Sequence, residues 1–272
     1  MKTILAVDVG NTRVKWALRE SGAAPGRWLA QGAGTAEALV ASLRATLPGA
    51  AALSEVVFSS VAGEAVTTAL EQALRAAAGG APVRRFVPRP AAGGLANRYA
   101  APTLGADRFA AAIGARRLYG DGALVVACFG TATTIDTVSP AHDYLGGLIL
   151  PGVDSMLAAL ATDTARLPRV APGAALVEIP DTTEAAIAEG VARAQAGAVR
   201  ETVEIARRRF GAARLVISGG AAPLLLGRLG LAVAAEPVAP ASEAGADIPR
   251  FHEDLVLVGL AASAEDEGWE PA

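Results

Sequence analysis

Asp8, Gly10, Asn11, Thr12 and Lys15 lie within eight residues that follow the apolar run Ile4 to Val7, and they are the side chains that suit a metal-bound polyphosphate. A carboxylate such as Asp8 can hold Mg2+ through water. Gly10 lets the backbone approach phosphate oxygens closely, and Asn11 and Thr12 can donate hydrogen bonds. Lys15 stands out because the chain has 22 Arg and only 2 Lys, and a compact ammonium is a common phosphate partner. The stretch Asp8 to Trp16 reads as strand end, glycine turn and return strand. The same residues also suit an ordinary hairpin with an Asx-type turn, and the stretch alone leaves both readings open.

The plan recurs about one domain length later. Ala123 to Phe129 is a fully apolar strand that runs into Gly130-Thr-Ala-Thr-Thr134 and a return strand through Ile135 to Val138. Two such turns suggest a duplicated domain whose halves both face one nucleotide. A third glycine turn, Ser218-Gly-Gly220, follows the strand Arg214 to Ile217, a common place for a ligand to meet backbone amides.

A candidate acid stands at Asp107, in Leu104-Gly-Ala-Asp-Arg108. In the first turn of a helix a carboxylate is favoured by the helix dipole, which is its structural reading. Its chemical reading is a general base that accepts the proton of an attacking alcohol. Arg108 projects about 100° further round the helix and suits either an anion anchor or a surface salt bridge. The Pro-, Gly- and Ala-rich stretch Arg89 to Thr103, with Asn97, Arg98 and Tyr99, reads as a loop that covers substrate.

These residues need a framework. Strands are expected near 3–9, 13–19, 55–61, 122–128, 133–138, 144–150 and 213–218, and helices near 35–47, 63–78, 104–118, 152–162, 182–209 and 254–266. Hairpins followed by strand and helix units predict an α/β protein with mixed sheets covered by helices. Tyr119-Gly-Asp-Gly122 places the boundary between an N-terminal domain of residues 1–118 and a C-terminal domain of residues 119–272. Pro172 to Pro180 reads as a loop at the cleft.

Composition narrows the function. The net charge is −3 and the longest basic run is Arg207 to Arg209, which argues against nucleic acid as a primary ligand. No apolar run approaches the ~18 residues of a spanning helix. The first residues lack the pattern of a signal peptide, so a cytoplasmic protein is expected. One cysteine, Cys128, excludes an internal disulfide framework, and with His142 and His252 it has no zinc-site spacing.

Taken in order, the motifs resemble those of the type III pantothenate kinases, the family that includes Bvg accessory factors, over nearly the whole chain. DVGNTRVK at Asp8 to Lys15, YAAPTLGADR at Tyr99 to Arg108, FGTATT at Phe129 to Thr134 and GGLILPG at Gly146 to Gly152 carry the likeness. TARLP at Thr164 to Pro168, DTTEAAIAEG at Asp181 to Gly190, LVISGG at Leu215 to Gly220 and the closing HEDLVLVGL extend it. The resemblance implies two ribonuclease-H-like domains of the actin-like, sugar-kinase-like ATPase superfamily. It further implies ATP-dependent phosphorylation of pantothenate at its 4′-hydroxyl, in coenzyme A biosynthesis. On that likeness Asp107 is the base; Asp8, Val9, Gly10, Asn11, Thr12, Arg13, Val14, Lys15 and Thr131 meet ATP and its Mg2+; and Tyr99, Gly105, Ala106, Arg108 and Thr183 line the pantothenate. The C-terminal domain would carry the adenosine region and the contacts of a homodimer, whose second subunit completes the substrate pocket.

One departure concerns a monovalent cation, K+ or NH4+. Many members have an Asp two residues before the glycine of the second phosphate motif, where this chain has Cys128. A thiol is a poor ligand for a hard cation, and Cys128 suits a small buried hydrophobe. Two other functions fit the same motifs: a kinase of another small alcohol, and a catalytically silent nucleotide-binding regulator. Intact Asp8, Lys15 and Asp107 weigh against the silent form.

Overall fold

The structure is a computed structural model and describes residues 2–10, 13–35, 38, 53–100, 103–173, 177–230 and 249–266. They fall into two compact units. One comprises described residues of 1–120, 142–144 and 254–272, and the other those of 121–141 and 145–253.

The first unit is built on β1 (Thr3–Val9), β2 (Val14–Glu20), β3 (Ala30–Gly34), β4 (Glu55–Ser60) and β5 (Val83–Arg85), in the order β3-β2-β1-β4-β5. β2 runs antiparallel to β1, whereas β4 is parallel to it. β1 is central and buried on both faces, which explains its unbroken apolar run. Helix α1 (Glu64–Ala77) buries Thr67, Leu70 and Leu74, a single stripe at helical spacing. The helix expected over 35–47 lies almost wholly outside the described residues.

Helix α2 (Ala106–Tyr119) is buried almost all round, from Arg108 to Arg116. Its alanines permit this, because the last helix, α5 (Leu255–Ala264), lies directly against it. A Cβ on Gly259 would stand 1.8 Å from the Ala110 carbonyl oxygen, and one on Gly114 2.1 Å from that of Leu255. The two backbones therefore meet where side chains are absent, and that contact fixes the helix that carries Asp107.

The stretch from Arg89 to Thr103, expected as a loop, instead begins with a small hairpin of β6 (Ala91–Ala92) and β7 (Leu95–Asn97). Gly93 and Gly94 both have positive φ, 58° and 78°, the geometry of a tight hairpin turn. Residues 143 and 144 pair with β7, Asp143 opposite Ala96 and Tyr144 opposite Asn97. Arg98 then bonds Asp143 at 2.7 Å.

The second unit contains β8 (Ala123–Phe129), β9 (Ala132–Val138), β10 (Asp143–Pro151, from residue 145), β11 (Ala213–Ser218) and β12 (Arg250–Phe251), in the order β10-β9-β8-β11-β12. β9 is antiparallel to β8, and β11 parallel to it. Strand order thus repeats that of β3-β2-β1-β4-β5, and β9, β11 and β12 match the directions of β2, β4 and β5, the arrangement of a duplicated domain. Helices α3 (Val153–Asp163) and α4 (Thr183–Phe210) pack on this sheet, where Val191, Val199 and Val203 join Val125, Ala127 and Phe129 in one core. Thr182 caps α4 by accepting from the Ala185 amide at 3.2 Å. Arg207, Arg208 and Arg209 occupy its last turn, where cations suit the helix dipole. Arg207 and Arg208 pair with Glu204 and Glu201, so this basic run is a solvated helix end.

Candidate active site

Asp8 lies next to the end of β1, and the register places Lys15 opposite it on β2 and Ser59 beside it on β4. One carboxylate is thus flanked by an ammonium and a hydroxyl on adjacent strands. Ser59 Oγ donates to Asp8 Oδ1 at 3.0 Å. Burial pushes the Asp8 pKa up to about 6, with the charge of Asp107 acting in the same direction and the Ser59 hydrogen bond and Lys15 opposing it. Lys15 Nζ lies 3.7 Å from Asp254 Oδ1, so this ammonium is directed by a residue immediately before α5.

Asp107 enters the same group from the first turn of α2. Burial raises its pKa, opposed by the Arg108 amide and the Arg108 charge. That amide donates to Asp107 Oδ1 at 2.8 Å. Gly105 leaves room for the carboxylate, since a Cβ there would stand 2.6 Å from Asp107 Oδ1. Both carboxyls sit where ionisation is disfavoured, which suits groups that take up protons or cations.

Arg108 is only 5% exposed, which overturns its reading as a surface salt bridge. Its guanidinium stands 5.5 Å from the centroid of the Tyr99 ring, a cation–π distance. Tyr144 extends the cluster, edge-on to Phe109 at 5.5 Å and 6.4 Å from Tyr99. Asp8, Lys15, Asp107, Arg108 and Tyr99 all belong to the first unit.

Not every expected residue presents a side chain. Val9 and Val14 face each other in the register and are buried at 1% and 6% exposure, so only their backbones are available to a ligand. Ala106 is likewise buried. The Gly10 amide donates to the Arg13 carbonyl at 3.0 Å and closes the turn. Arg13 is exposed, and Asn11 and Thr12 lie outside the described residues. Sequence reasoning missed Ser59 and gave no role to Asp254. The only sequence signals for them are a Ser-Ser strand end and an acid within the closing HEDLVLVGL segment.

In the second unit the Gly130 turn is repeated in miniature, with its amide donating to the Ala132 carbonyl at 3.1 Å. The Thr131 carbonyl accepts from the Gly152 amide at 3.0 Å and from Ser155 Oγ at 3.0 Å, leaving its side chain at an exposed position. A Cβ on Gly152 would stand 2.2 Å from the Gly130 carbonyl oxygen, and one on Gly219 2.2 Å from that of Phe129. Two further glycine segments therefore close directly on this turn. Cys128 occupies the position that Asp8 holds in the first unit, with Thr134 and Ser218 as its strand neighbours. Ser218 Oγ donates to the Glu253 carbonyl at 3.2 Å. Thr183 stands exposed in the first turn of α4.

Among the described residues no group of three or more His, Cys, Asp or Glu is placed to hold a metal by itself. One half-buried carboxylate beside a second fits Mg2+, which keeps several waters and takes its remaining ligands from substrate phosphates. No helix is long and apolar enough to cross a membrane among the described residues.

Comparison with known proteins agrees with this geometry. The chain is 43% identical to the type III pantothenate kinase of Janthinobacterium sp. (strain Marseille), covering 94% of this chain and 95% of that one. It is 40% identical to that of Aromatoleum aromaticum, over 97% and 98% of the two chains. Among solved structures it resembles a protein from Campylobacter jejuni named as a Baf family transcriptional activator, with a TM-score of 0.54 at 19% identity over 94% of each chain. A glucokinase from an Antarctic psychrotroph gives 0.51 at 13% identity over 98% of this chain and all of that one. These two likenesses speak to the fold alone, two α/β units with a repeated strand order. The family model for type III pantothenate kinases matches residues 4–205, and with relatives of this identity along nearly its full length the chain belongs to that family.

Proposed function

We propose that the protein transfers the γ-phosphoryl group of ATP to the 4′-hydroxyl of pantothenate, the first step of coenzyme A biosynthesis. The observation that carries this reading is the juxtaposition of Asp8 and Asp107, two carboxyls with raised pKa values beside Lys15. It supplies a cation-holding acid, a base and a phosphate partner on one unit.

Asp107 accepts the hydroxyl proton as the alcohol oxygen attacks the γ-phosphorus in line; the new P–O bond forms, the bond to the β-phosphate oxygen breaks, and ADP leaves. Its raised pKa makes it a better proton acceptor than an ordinary aspartate. Mg2+, when bound, neutralises charge on the phosphate oxygens, and Asp8 is the residue that would hold it through water. Lys15 and the Gly10 backbone meet ATP phosphates. Arg108, Tyr99 and Gly105 line the pantothenate, with the Arg108 guanidinium set by the Tyr99 ring. Cys128 supplies no hard ligand, so any K+ or NH4+ relies on carbonyl oxygens or on the second subunit.

Self-association belongs to the same reading. Leu148 and Ile149 follow one another on β10 at 47% and 63% exposure, so an exposed apolar side chain stands on each face of that strand, and a second copy would cover one of them. A cytoplasmic setting follows from the substrates.

The test is ADP release by the purified protein with Mg-ATP and a panel of small alcohols that includes pantothenate. Pantothenate is expected to give the highest kcat/KM. Turnover of another alcohol in its place would reassign the substrate, and no turnover with any would return the protein to a nucleotide-binding regulator.

A further inference from the structure

Helix α4 carries Glu189, Arg193, Ala196 and Arg200 at spacings that place them along one face. This face borders a cavity of about 530 Å³ lined by Val177, Glu178, Arg193, Ala196, Arg200 and Arg228. Three guanidinium groups therefore converge on one cavity within the second unit. Two are fixed. Arg193 reaches Glu189 at 3.1 Å and the carbonyls of Val177 and Glu178 at 2.8 and 2.5 Å. Arg228 pairs with the other Glu189 oxygen.

Glu189 neutralises one of the three charges and no more. Its own partners, foremost the Val177 amide, hold its pKa down to about 2, so it is ionised throughout the physiological range. Arg200 donates to the Arg228 carbonyl at 3.3 Å and has no carboxylate partner among the described residues. Glu178, exposed on the rim, makes no ion pair with the three among the described residues. Arginine forks match phosphate oxygens in pairs, and Ala196 and Val177 add an apolar wall.

We propose that this cavity is a second ligand site, which takes a small phosphorylated metabolite with its phosphate between Arg200 and Arg228. Arg193 and Glu189 hold the site open in the absence of ligand, because they tie the 177–178 segment to α4. Glu178 on the rim offsets one further charge, so the formal surplus is one, and the phosphate is held by the paired donors of Arg200 and Arg228 rather than by net charge alone. The cavity volume admits a compact organic body beyond the phosphate.

The experiment titrates the full chain with inorganic pyrophosphate by calorimetry, with the nucleotide site saturated by a non-hydrolysable ATP analogue and Mg2+. One further binding event is expected, weakened at least about tenfold in Arg200→Ala and weakened by added salt. Arg200 is exposed on its helix, so this variant should fold, and Arg200→Lys should recover only part of the affinity. Loss of pyrophosphate binding on saturation with the ATP analogue would assign the cavity to the nucleotide site and overturn the proposal. So would binding that Arg200→Ala leaves unchanged, or citrate competing more strongly than pyrophosphate. Pantothenate turnover by the native protein is read separately, so failure of one reading does not decide the other.

Discussion

Lys15 Nζ and Asp254 Oδ1 lie 3.7 Å apart, although 239 positions of sequence separate them. The ammonium opposite Asp8 is thus steered by a carboxylate at the entrance to α5. Asp254→Asn is expected to raise the KM for ATP a few-fold with little change in fold, since a part-exposed pair is worth about 0.2–1 kcal/mol. Lys15→Ala should raise it further, and Lys15→Arg should rescue only in part because a planar fork replaces a point charge. Steady-state kinetics of the three variants checks this, and unchanged ATP kinetics in Lys15→Ala would reduce the motif to a plain hairpin.

Asp107→Asn keeps shape and removes the base. Turnover should fall by about 100-fold or more, with ATP binding and thermal unfolding nearly native. A base must be ionised to act and burial raises its pKa, so kcat/KM in the native protein should fall on acidification at a pH above the ordinary aspartate range. Asp107→Asn should lose the part of that limb that Asp107 sets, while Asp8, whose pKa is pushed up to about 6, keeps its own. Near-normal turnover in the variant would leave Asp107 as a helix-start acid only.

Glu189 offers a stability test with a defined sign. Its carboxyl is held down to about 2 in the folded protein against an ordinary 4.5, so between these values the unfolded chain binds more protons than the folded one. The stabilisation it provides is complete above about pH 4.5 and is lost as pH falls through about 2. Urea unfolding at pH 5 and pH 3 should show a steeper loss for the native protein than for Glu189→Gln. Equal losses would mean that Glu189 does not hold the Arg193 and Arg228 cluster.

Cys128 and Asp8 occupy equivalent places in the two halves, each beside a serine on the neighbouring parallel strand. Cys128→Asp should make activity depend more steeply on K+, because it adds a charged oxygen where a soft thiol stands. A K+ titration against a large inert cation at fixed ionic strength checks it. Strong, saturable activation of the native protein would place the cation on other oxygens.

Much of this was legible along the chain because it is local. An apolar run, a glycine turn and a return strand are encoded within about fifteen residues, so both hairpins and the Asp107 helix start could be read directly. The same holds for the duplication, since one pattern written twice folds into one strand order twice. The short strands β3, β5, β6, β7 and β12 were not legible, because two to five residues carry too little periodicity and are made strands by the neighbours they pair with. Ser59 meets Asp8 across a parallel pairing 51 positions apart. Asp254 reaches Lys15 only because Gly259 and Gly114 let α5 lie against α2, which joins the last helix to the first unit rather than to the segment that precedes it. Sequence determined which chemical groups are present and which turns they sit on; tertiary structure decided which of them share one environment, because burial and charge act through space rather than along the chain.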